Sequence, residues 1–259
     1  MRPDSLTYEV AFPGATLQHY VSHFWQSRWA TGVQDHFVYH STANTNTELA
    51  FAFRPRNRHG HEPVFSAVQG HTDSHSRIDT GGFSEMFGVS IHSYAIPFFF
   101  DIPSAQLANH VIDLAELPGA NAAFLAKSLA AGRSFSQRMA IMTAYLEKRL
   151  RRGHEDQTIL HAIRKMKNMR GLVSIRELAA ECALSQKQFE RRFREFSSFN
   201  PKLYARILRF ESSLSAYKKL DSLTALAHHL GYYDQAHFIN DFRQFSGFSP
   251  RQYMAVMPY

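Results

Sequence analysis

The sequence predicts an α+β fold in two parts, a mainly β N-terminal part followed by an all-α C-terminal part. Three observations support this division. Short apolar runs separated by turn-forming segments are typical of β-strands, and they end near residue 115. Apolar residues at helical spacing replace them after Pro118. A unit of 20 residues then occurs twice, at residues 185–204 and 234–253, which indicates a repeated structural element.

The N-terminal part contains strand patterns rich in aromatic and β-branched residues, which suit a pleated, half-buried surface. The clearest are Phe37–Tyr39, Leu49–Phe53, Val64–Val68 and Met86–Ile91. Turn-rich segments at residues 54–63 and 79–82 separate them. We therefore predict a mainly β domain, and a cupin-like barrel is one form that such a domain takes.

A helical segment follows the strands and connects the two parts. One helix is predicted from Asn121 to Ala130. A second begins near Ser134, because Ser134 and Gln137 have capping-box spacing. This second helix carries an apolar stripe, formed by Met139, Met142, Leu146 and Leu150. The stripe either packs on the β domain or pairs with a second subunit.

The excess of positive charge in the chain lies in its C-terminal part. From Arg151 onward there are 18 Lys and Arg residues and 10 Asp and Glu residues, a net charge of +8. The first 150 residues carry 11 Lys and Arg residues and 12 Asp and Glu residues, a net charge of −1. With a linker after Leu150, we predict domains at residues 1–152 and 155–259. A basic domain joined to a near-neutral one is expected when only one of them binds a polyanion.

Composition argues against several classes of protein. The single cysteine, Cys182, allows no internal disulfide and no cysteine-rich zinc site. The first residues include Asp4 and Glu9 and lack an apolar segment, so we expect no signal peptide. No apolar run approaches the roughly 20 residues of a membrane helix, and Phe98–Phe100 is interpreted as core. We therefore expect a cytoplasmic protein with no membrane partner.

The repeated unit has the pattern of two helices joined by a tight turn. Nine of its 20 positions are identical between the copies at an offset of 49 residues, whereas average residue usage would give about one or two. A short helix is predicted first, at Ile175–Cys182 and Leu223–Leu230, and Ser185 or Asp234 then caps a second helix. Three phenylalanines of each second helix are predicted to be buried: Phe189, Phe193 and Phe196, then Phe238, Phe242 and Phe245. The other face is polar, so each copy is predicted to be a helix-turn-helix.

A long helix is predicted between the two copies, from Pro201 to Lys219, with Asn200 as its N-cap. Such a helix would be about 28 Å long. It is expected to hold the two helix-turn-helix units at a fixed separation. Capping patterns are also present at Ser174, Ser222 and Ser249.

Residues Asp156 to Met257 closely resemble the C-terminal domain of AraC-type (arabinose-regulator type) transcription regulators. The resemblance is carried by Leu178-Ala179 and Leu226-Ala227, by the spacing of the phenylalanines, and by the run GFSPRQY at residues 247–253. It implies two helix-turn-helix units that enter neighbouring major grooves on one face of double-stranded DNA. One departure is Asp241, which stands on the second recognition helix where a contact could otherwise be basic.

The N-terminal domain resembles, more loosely, the effector or dimerisation domain that precedes this module in many family members. The matching segments are Glu48–Phe51, Phe87–Val89 and Leu107–Leu117. The resemblance implies a sequence-specific transcription regulator with a sensory or dimerising first domain. Its further partners would be a small-molecule effector, a second copy of the chain and, for an activator, RNA polymerase; no cofactor is implied. Candidates for contacting an effector are Trp25, Trp29, Tyr39 and Glu48.

Exposed positions near the start of each recognition helix are predicted to contact DNA bases. These are Gln186, Lys187, Glu190 and Arg191 in the first copy, and Gln235, His237 and Asn240 in the second. Arg191 can donate two hydrogen bonds to guanine, Lys187 can reach guanine or phosphate, and Glu190 can accept a hydrogen bond from cytosine. Gln235 and Asn240 can pair with adenine.

Two arginines one turn further along, Arg194 and Arg243, are predicted to bind phosphates, which positions the protein without specifying sequence. Because Arg192 is basic as well, the first copy is expected to supply more of the affinity.

Two other functions remain open at this point. One is an enzyme joined to a DNA-binding module. An alkyltransferase needs a nucleophilic cysteine, and Cys182 lies inside the first helix-turn-helix, which argues against that enzyme. A metal-dependent β-barrel enzyme would need histidine ligands, but the candidates lie in a segment that has the pattern of a polar loop: His59, His61, His71 and His75. The other function is a regulator without a ligand. We expect no catalytic residues and no metal site.

Overall fold

The computed structural model of this chain describes residues 6–29, 38–55, 61–79, 83–151, 156–217 and 222–256. The chain divides into two compact units. The first contains Met1–Tyr39, Asn46–His71 and Arg77–Gly153, and the second contains His40–Thr45, Thr72–Ser76 and His154–Tyr259. Two short segments from the first half of the sequence thus belong to the second unit. The predicted fold class, a mainly β N-terminal region followed by a helical C-terminal region, is confirmed.

The described β-strands are β1 (Leu6–Ala11), β2 (Val21–Trp29), β3 (Val38–Ser41), β4 (Asn46–Pro55), β5 (His61–Gln69), β6 (Ser76–Asp79), β7 (Glu85–His92) and β8 (Val111–Asp113). Six of them form one sheet in the order β1-β2-β7-β4-β5-β8, and β3 pairs with β6 in a separate two-stranded sheet. All five neighbouring strand pairs of the six-stranded sheet are antiparallel. Whether it closes into a cupin-like barrel stays a prediction.

The central strands β4 and β7 form the core of the sheet. Leu49 pairs with Val89 and Phe51 pairs with Phe87, and all four side chains are fully buried. The adjacent Gly88 is required for packing, because a Cβ atom there would lie 2.4 Å from the Trp25 ring. The Trp25 indole lies across this glycine and donates a hydrogen bond of 2.8 Å to Glu48. Two of the four candidate effector-binding residues therefore bind each other.

The helices of the first unit are α1 (Ile96–Phe99), α2 (Ala122–Ala131) and α3 (Phe135–Arg149). Ser134 caps α3 as predicted, since its side chain accepts a hydrogen bond from the Gln137 amide. Along the apolar stripe of α3, Met142 and Leu146 are fully buried within the protein, whereas Met139 and Leu150 are only half-buried. The centre of the stripe therefore packs inside the chain.

A buried arginine joins α3 to the sheet of the first unit. Arg138 has no exposed surface. Its guanidinium donates hydrogen bonds to the Leu129 carbonyl at 3.0 Å, to Gln26 at 2.9 Å and to Glu85 at 2.9 Å. The same group lies 4.4 Å from the centroid of the Phe53 ring. No motif or periodicity in the sequence points to this residue.

Glu85, which is only 2% exposed, is the anion of this cluster. It forms ion pairs with Arg138 and Arg28, and His61 Nε2 lies 2.9 Å from its Oε2 atom. Burial alone would raise the pKa of Glu85, but hydrogen bonds from Arg138 and Arg28 lower it below its ordinary value. Burial lowers the pKa of His61, although Glu85 opposes that shift.

The second unit is built from α4 (Gln157–Asn168), α5 (Ile175–Glu181), α6 (Gln186–Ser197), α7 (Pro201–Ala216), α8 (Leu223–His229), α9 (Gln235–Ser246) and α10 (Pro250–Val256). At the first turns of these helices, backbone amides donate hydrogen bonds to the side-chain oxygens of Asp156, Ser174, Ser185, Asn200, Ser222, Asp234 and Ser249. Every cap predicted in this part of the sequence is therefore present.

The connecting helix α7 ends at Ala216 in the structure. The predicted end, Lys219, lies outside the described residues. The 16 residues of α7 correspond to about 24 Å. The segment His40–Thr45 is part of this unit: the Ala43 amide donates to the Phe245 carbonyl at 2.9 Å, and the Thr45 amide donates to Glu211 at 2.8 Å. Among the described helices, none combines the length and the apolar character needed to cross a membrane.

Candidate nucleic-acid interface

The two helix-turn-helix units are α5–α6 and α8–α9, and their turns have the same backbone geometry. In the first, the Leu184 amide bonds to the Ala179 carbonyl at 3.0 Å, and Ala183 has a positive φ of 54°. In the second, the Tyr232 amide bonds to the Ala227 carbonyl at 2.9 Å, and Gly231 has a φ of 69°. Both are Schellman motifs, which end a helix in a left-handed residue.

The second turn is one residue longer than the first. Helices α5 and α8 are offset by 48 residues, whereas α6 and α9 are offset by 49. The additional residue is Tyr233, which follows the Schellman motif and precedes the N-cap Asp234. It is 88% exposed, an unusual position for a large aromatic ring. Tyr233 is thus a further candidate DNA contact, beyond those predicted from the sequence. The extra residue is visible in the sequence when ALS at residues 183–185 is compared with GYYD at residues 231–234.

The phenylalanines orient both recognition helices. Phe189 and Phe193 of α6 are fully buried, and Phe196 is half-buried. On α9, the predicted burial holds for all three residues, Phe238, Phe242 and Phe245. Because these residues recur at i, i+4 and i+7, they occupy one stripe and leave the opposite face of each helix free for solvent or DNA.

The first recognition helix carries its predicted contacts on this open face. Gln186, Lys187, Arg191 and Arg194 are exposed, and Glu190 is half-buried. Gln186 Nε2 donates a hydrogen bond of 2.8 Å to Glu190, and Arg191 lies 3.6 Å from Glu195 in an i,i+4 ion pair. Exposed pairs of this kind contribute about 0–1 kcal/mol. They can therefore exchange for contacts with DNA at small cost.

The second recognition helix presents a less charged surface. His237, Asn240 and Arg243 are exposed, whereas Gln235 is half-buried. The Thr224 hydroxyl donates a hydrogen bond of 2.9 Å to Gln235 Oε1. This bond leaves the amide nitrogen of Gln235 available as a donor, while its oxygen is used to join α9 to α8.

Asp241 does not belong to the exposed surface of the second recognition helix. It is 4% exposed and accepts hydrogen bonds from Arg206 of α7 at 2.7 and 3.2 Å. The hydrogen bond with Asp241 raises the pKa of Arg206, which favours the charged guanidinium. The interpretation of Asp241 as an acidic residue at a DNA-contact position is therefore wrong, because its position on the helix faces the protein.

Arg192 is the residue that corresponds to Asp241 in the first copy. It is half-buried and forms a bidentate ion pair with Asp156, the N-cap of α4, with N–O distances of 2.7 to 2.9 Å. The repeat thus conserves an ion pair behind each recognition helix but reverses its polarity. The expectation that Arg192 adds to the DNA affinity of the first copy is not supported, because this guanidinium is used inside the unit.

Among the described residues, the histidine and cysteine candidates for enzyme chemistry do not form a metal-binding cluster. His59 lies outside the described residues, His61 contacts Glu85, and burial lowers the pKa of His71 to about 4. Within the ranges that the structure describes, no three His, Cys, Asp or Glu side chains are arranged to hold a metal ion. Cys182 is half-buried, its Sγ lies 3.7 Å from the Thr158 carbonyl, and burial raises its pKa. A thiol with a raised pKa is a weak nucleophile at neutral pH.

Two family models match the chain. Residues 178–255 match the family described as a helix-turn-helix domain. Residues 9–113 match a family described as a domain of unknown function, DUF6597. No curated protein matches this chain.

Several solved structures are similar to the chain at low sequence identity. A transcriptional regulator with an AraC-type DNA-binding domain, from Chromobacterium violaceum, is 21% identical over 38% of this chain and 90% of its own, with a TM-score of 0.36. An apo variant of ToxT from Vibrio cholerae is 8% identical over 98% of both chains, with a TM-score of 0.49. Wild-type ToxT from the same organism, bound to an unsaturated fatty acid, is 11% identical over 99% of this chain and 98% of its own, with a TM-score of 0.46.

The family match and the geometry of the repeat agree on the same part of the chain. The matched residues contain both recognition helices, α6 and α9, both Schellman turns and the connecting helix, whereas α5 begins three residues before the match. Residues 178–255 of this protein therefore form a helix-turn-helix domain.

Proposed function

We propose that this protein is a sequence-specific transcription regulator whose domain at residues 155–259 binds double-stranded DNA with both recognition helices. The observation that carries this proposal is the repeated helix-turn-helix with a polar, exposed face on α6 and on α9. The domain at residues 1–152 would act as the sensory or dimerising part. The weakly nucleophilic thiol of Cys182 favours regulation over an alkyl-transfer enzyme.

The two recognition helices offer different chemistry to DNA. On α6, Lys187 and Arg191 provide cationic donors for guanine and Glu190 provides an acceptor for cytosine. On α9, Gln235 and Asn240 provide amide groups for adenine, and His237 adds a further donor or acceptor. Arg194 and Arg243 lie later on their helices and are assigned to phosphates. The bound site should therefore be asymmetric.

A single copy of the chain should protect two DNA segments centred about 10 base pairs apart. The reason is that α7 is one continuous helix between the two units, so the recognition helices cannot fold onto the same groove. The binding site would first be selected from a random DNA pool, and the full chain would then be footprinted at a concentration at which it is monomeric. Protection of one groove segment, or protection only by a dimer, would contradict binding of one chain through both recognition helices.

Replacing Arg191 by alanine should weaken binding to the selected site by roughly 5- to 150-fold and relax the preference at one base pair. The matched variant Arg194→Ala should weaken binding to selected and random DNA by similar factors, because a phosphate contact carries no sequence information. Both side chains are exposed, so neither change should affect folding. Equal losses on the two DNAs for Arg191→Ala would show that Arg191 is not a base-reading residue.

A further inference from the structure

A groove between α2 and α3 lies in the first unit, outside the two helix-turn-helix units. Its volume is about 880 Å³, which lies within the range of small-molecule pockets. Its apolar walls include Phe124 and Leu125 of α2 and Ile141 of α3. Phe124 is 73% exposed, although it is a large aromatic side chain. An apolar body placed in the groove would remove this ring from water.

The end of the groove at the C-terminus of α3 is positively charged. Its lining contains Lys148, Arg149 and Arg151 but only one acidic residue, Asp101. Arg151 and Asp101 are exposed and 3.8 Å apart, a weak pair. Lys148 is exposed, and no ion pair is recorded for it among the described residues. The lining therefore keeps an excess of two positive charges.

Arg149 is held in place without being neutralised. Its guanidinium donates to the carbonyl oxygens of Phe99, Pro118 and Gly119 at 3.1, 3.2 and 2.6 Å. Carbonyl groups satisfy these donors but carry no net charge, so the positive charge of Arg149 remains uncompensated. The guanidinium also lies 5.2 Å from the Tyr145 ring centroid, and the Tyr145 hydroxyl donates to the Ala120 carbonyl at 2.7 Å. The cation at this end of the groove is thus preorganised.

We propose that this groove binds a small amphipathic anion, with its apolar body against Phe124 and Leu125 and its anionic head near Lys148 and Arg149. The fixed charge of Arg149 attracts the head, and Lys148 supplies the donors that Arg149 has already used. If the first domain is sensory, as the proposed function holds, this groove is its effector site. The binding itself is independent of DNA.

The test uses a pair of fluorescent probes that differ in one charge. 1-Anilinonaphthalene-8-sulfonate is an amphipathic anion, and N-phenyl-1-naphthylamine has the same apolar body without the sulfonate. The full chain should bind the sulfonate probe at one site and more tightly than the neutral probe. Lys148→Gln should weaken the sulfonate probe about fivefold and leave the neutral probe unchanged. Phe124→Ser should weaken both probes.

Lys127→Gln is the matched control, because Lys127 is an exposed lysine of α2 that does not line the groove. It should leave both affinities unchanged. The proposal is overturned if the sulfonate probe does not bind, or if both Lys148→Gln and Phe124→Ser leave its affinity unchanged. It is also overturned if the protein forms a dimer and the dimer does not bind the probe. DNA footprinting on the same variants separates the two proposals: normal footprints with no probe binding would reject the groove site alone.

Discussion

Raising the salt concentration from 50 to 200 mM should weaken binding of the full chain to DNA by about 10³- to 10⁵-fold, the loss expected when 6–10 phosphates are contacted. The reason is the excess of positive charge in the C-terminal part of the chain, which has 18 basic and 10 acidic residues from Arg151 onward. Counterions released from DNA make such binding steeply dependent on salt. Fluorescence anisotropy of a labelled duplex, measured over a series of KCl concentrations, gives the slope directly, and we expect a value of about −5 to −9.

The structure identifies which charges should contribute to this slope. Lys165, Arg192 and Arg206 are paired with carboxylates inside the second unit. Arg194 is exposed and has no ion pair recorded among the described residues, so Arg194→Gln should make the slope less steep by about one. Lys127→Gln, which removes a charge from the first unit, should leave the slope unchanged. A slope near zero for the unmodified protein would mean that its basic charge is not used to bind DNA.

Replacing Arg138 by methionine should destabilise the first unit by about 3–5 kcal/mol. Methionine keeps much of the volume of the side chain but removes the hydrogen bonds to Leu129, Gln26 and Glu85. Glu85 would then retain its partners Arg28 and His61 but lose the fully buried cation. The large cost follows because a buried carboxylate that loses a partner cannot recover it from water.

Urea unfolding followed by tryptophan fluorescence measures this effect on one unit. The chain has only two tryptophans, Trp25 and Trp29, and both lie in the first unit. The control is Arg133→Met, because Arg133 is exposed and close to Arg138 in sequence. Adding Glu85→Gln to Arg138→Met should recover part of the loss, since it removes a buried negative charge that has lost its buried cation. A loss below about 1 kcal/mol for Arg138→Met would place the cluster among the weak surface pairs.

The helix-turn-helix domain could be predicted from the sequence because its signals are local. An N-cap such as Ser185 contacts its own first turn, and buried residues such as Phe238 and Phe242 recur at the spacing of one helix. These interactions span three to seven residues, so they are visible in the order of the residues. The predicted DNA-contact residues follow from the same helical phase and remain predictions, although the structure leaves most of them exposed.

Only the tertiary structure decided which charged residues are buried. The sequence pattern suggested that Asp241 and Arg192 lie on the DNA-facing side, yet each forms an ion pair with a residue 35 or 36 positions away. Arg138 and Glu85 are 53 positions apart, and their contact depends on the way α3 packs on the sheet. Helical spacing fixes the side of a helix on which a residue lies, but it does not determine which residue of another element contacts that side. Long-range pairing of charges depends on strand register and helix packing, and those are set by the whole chain.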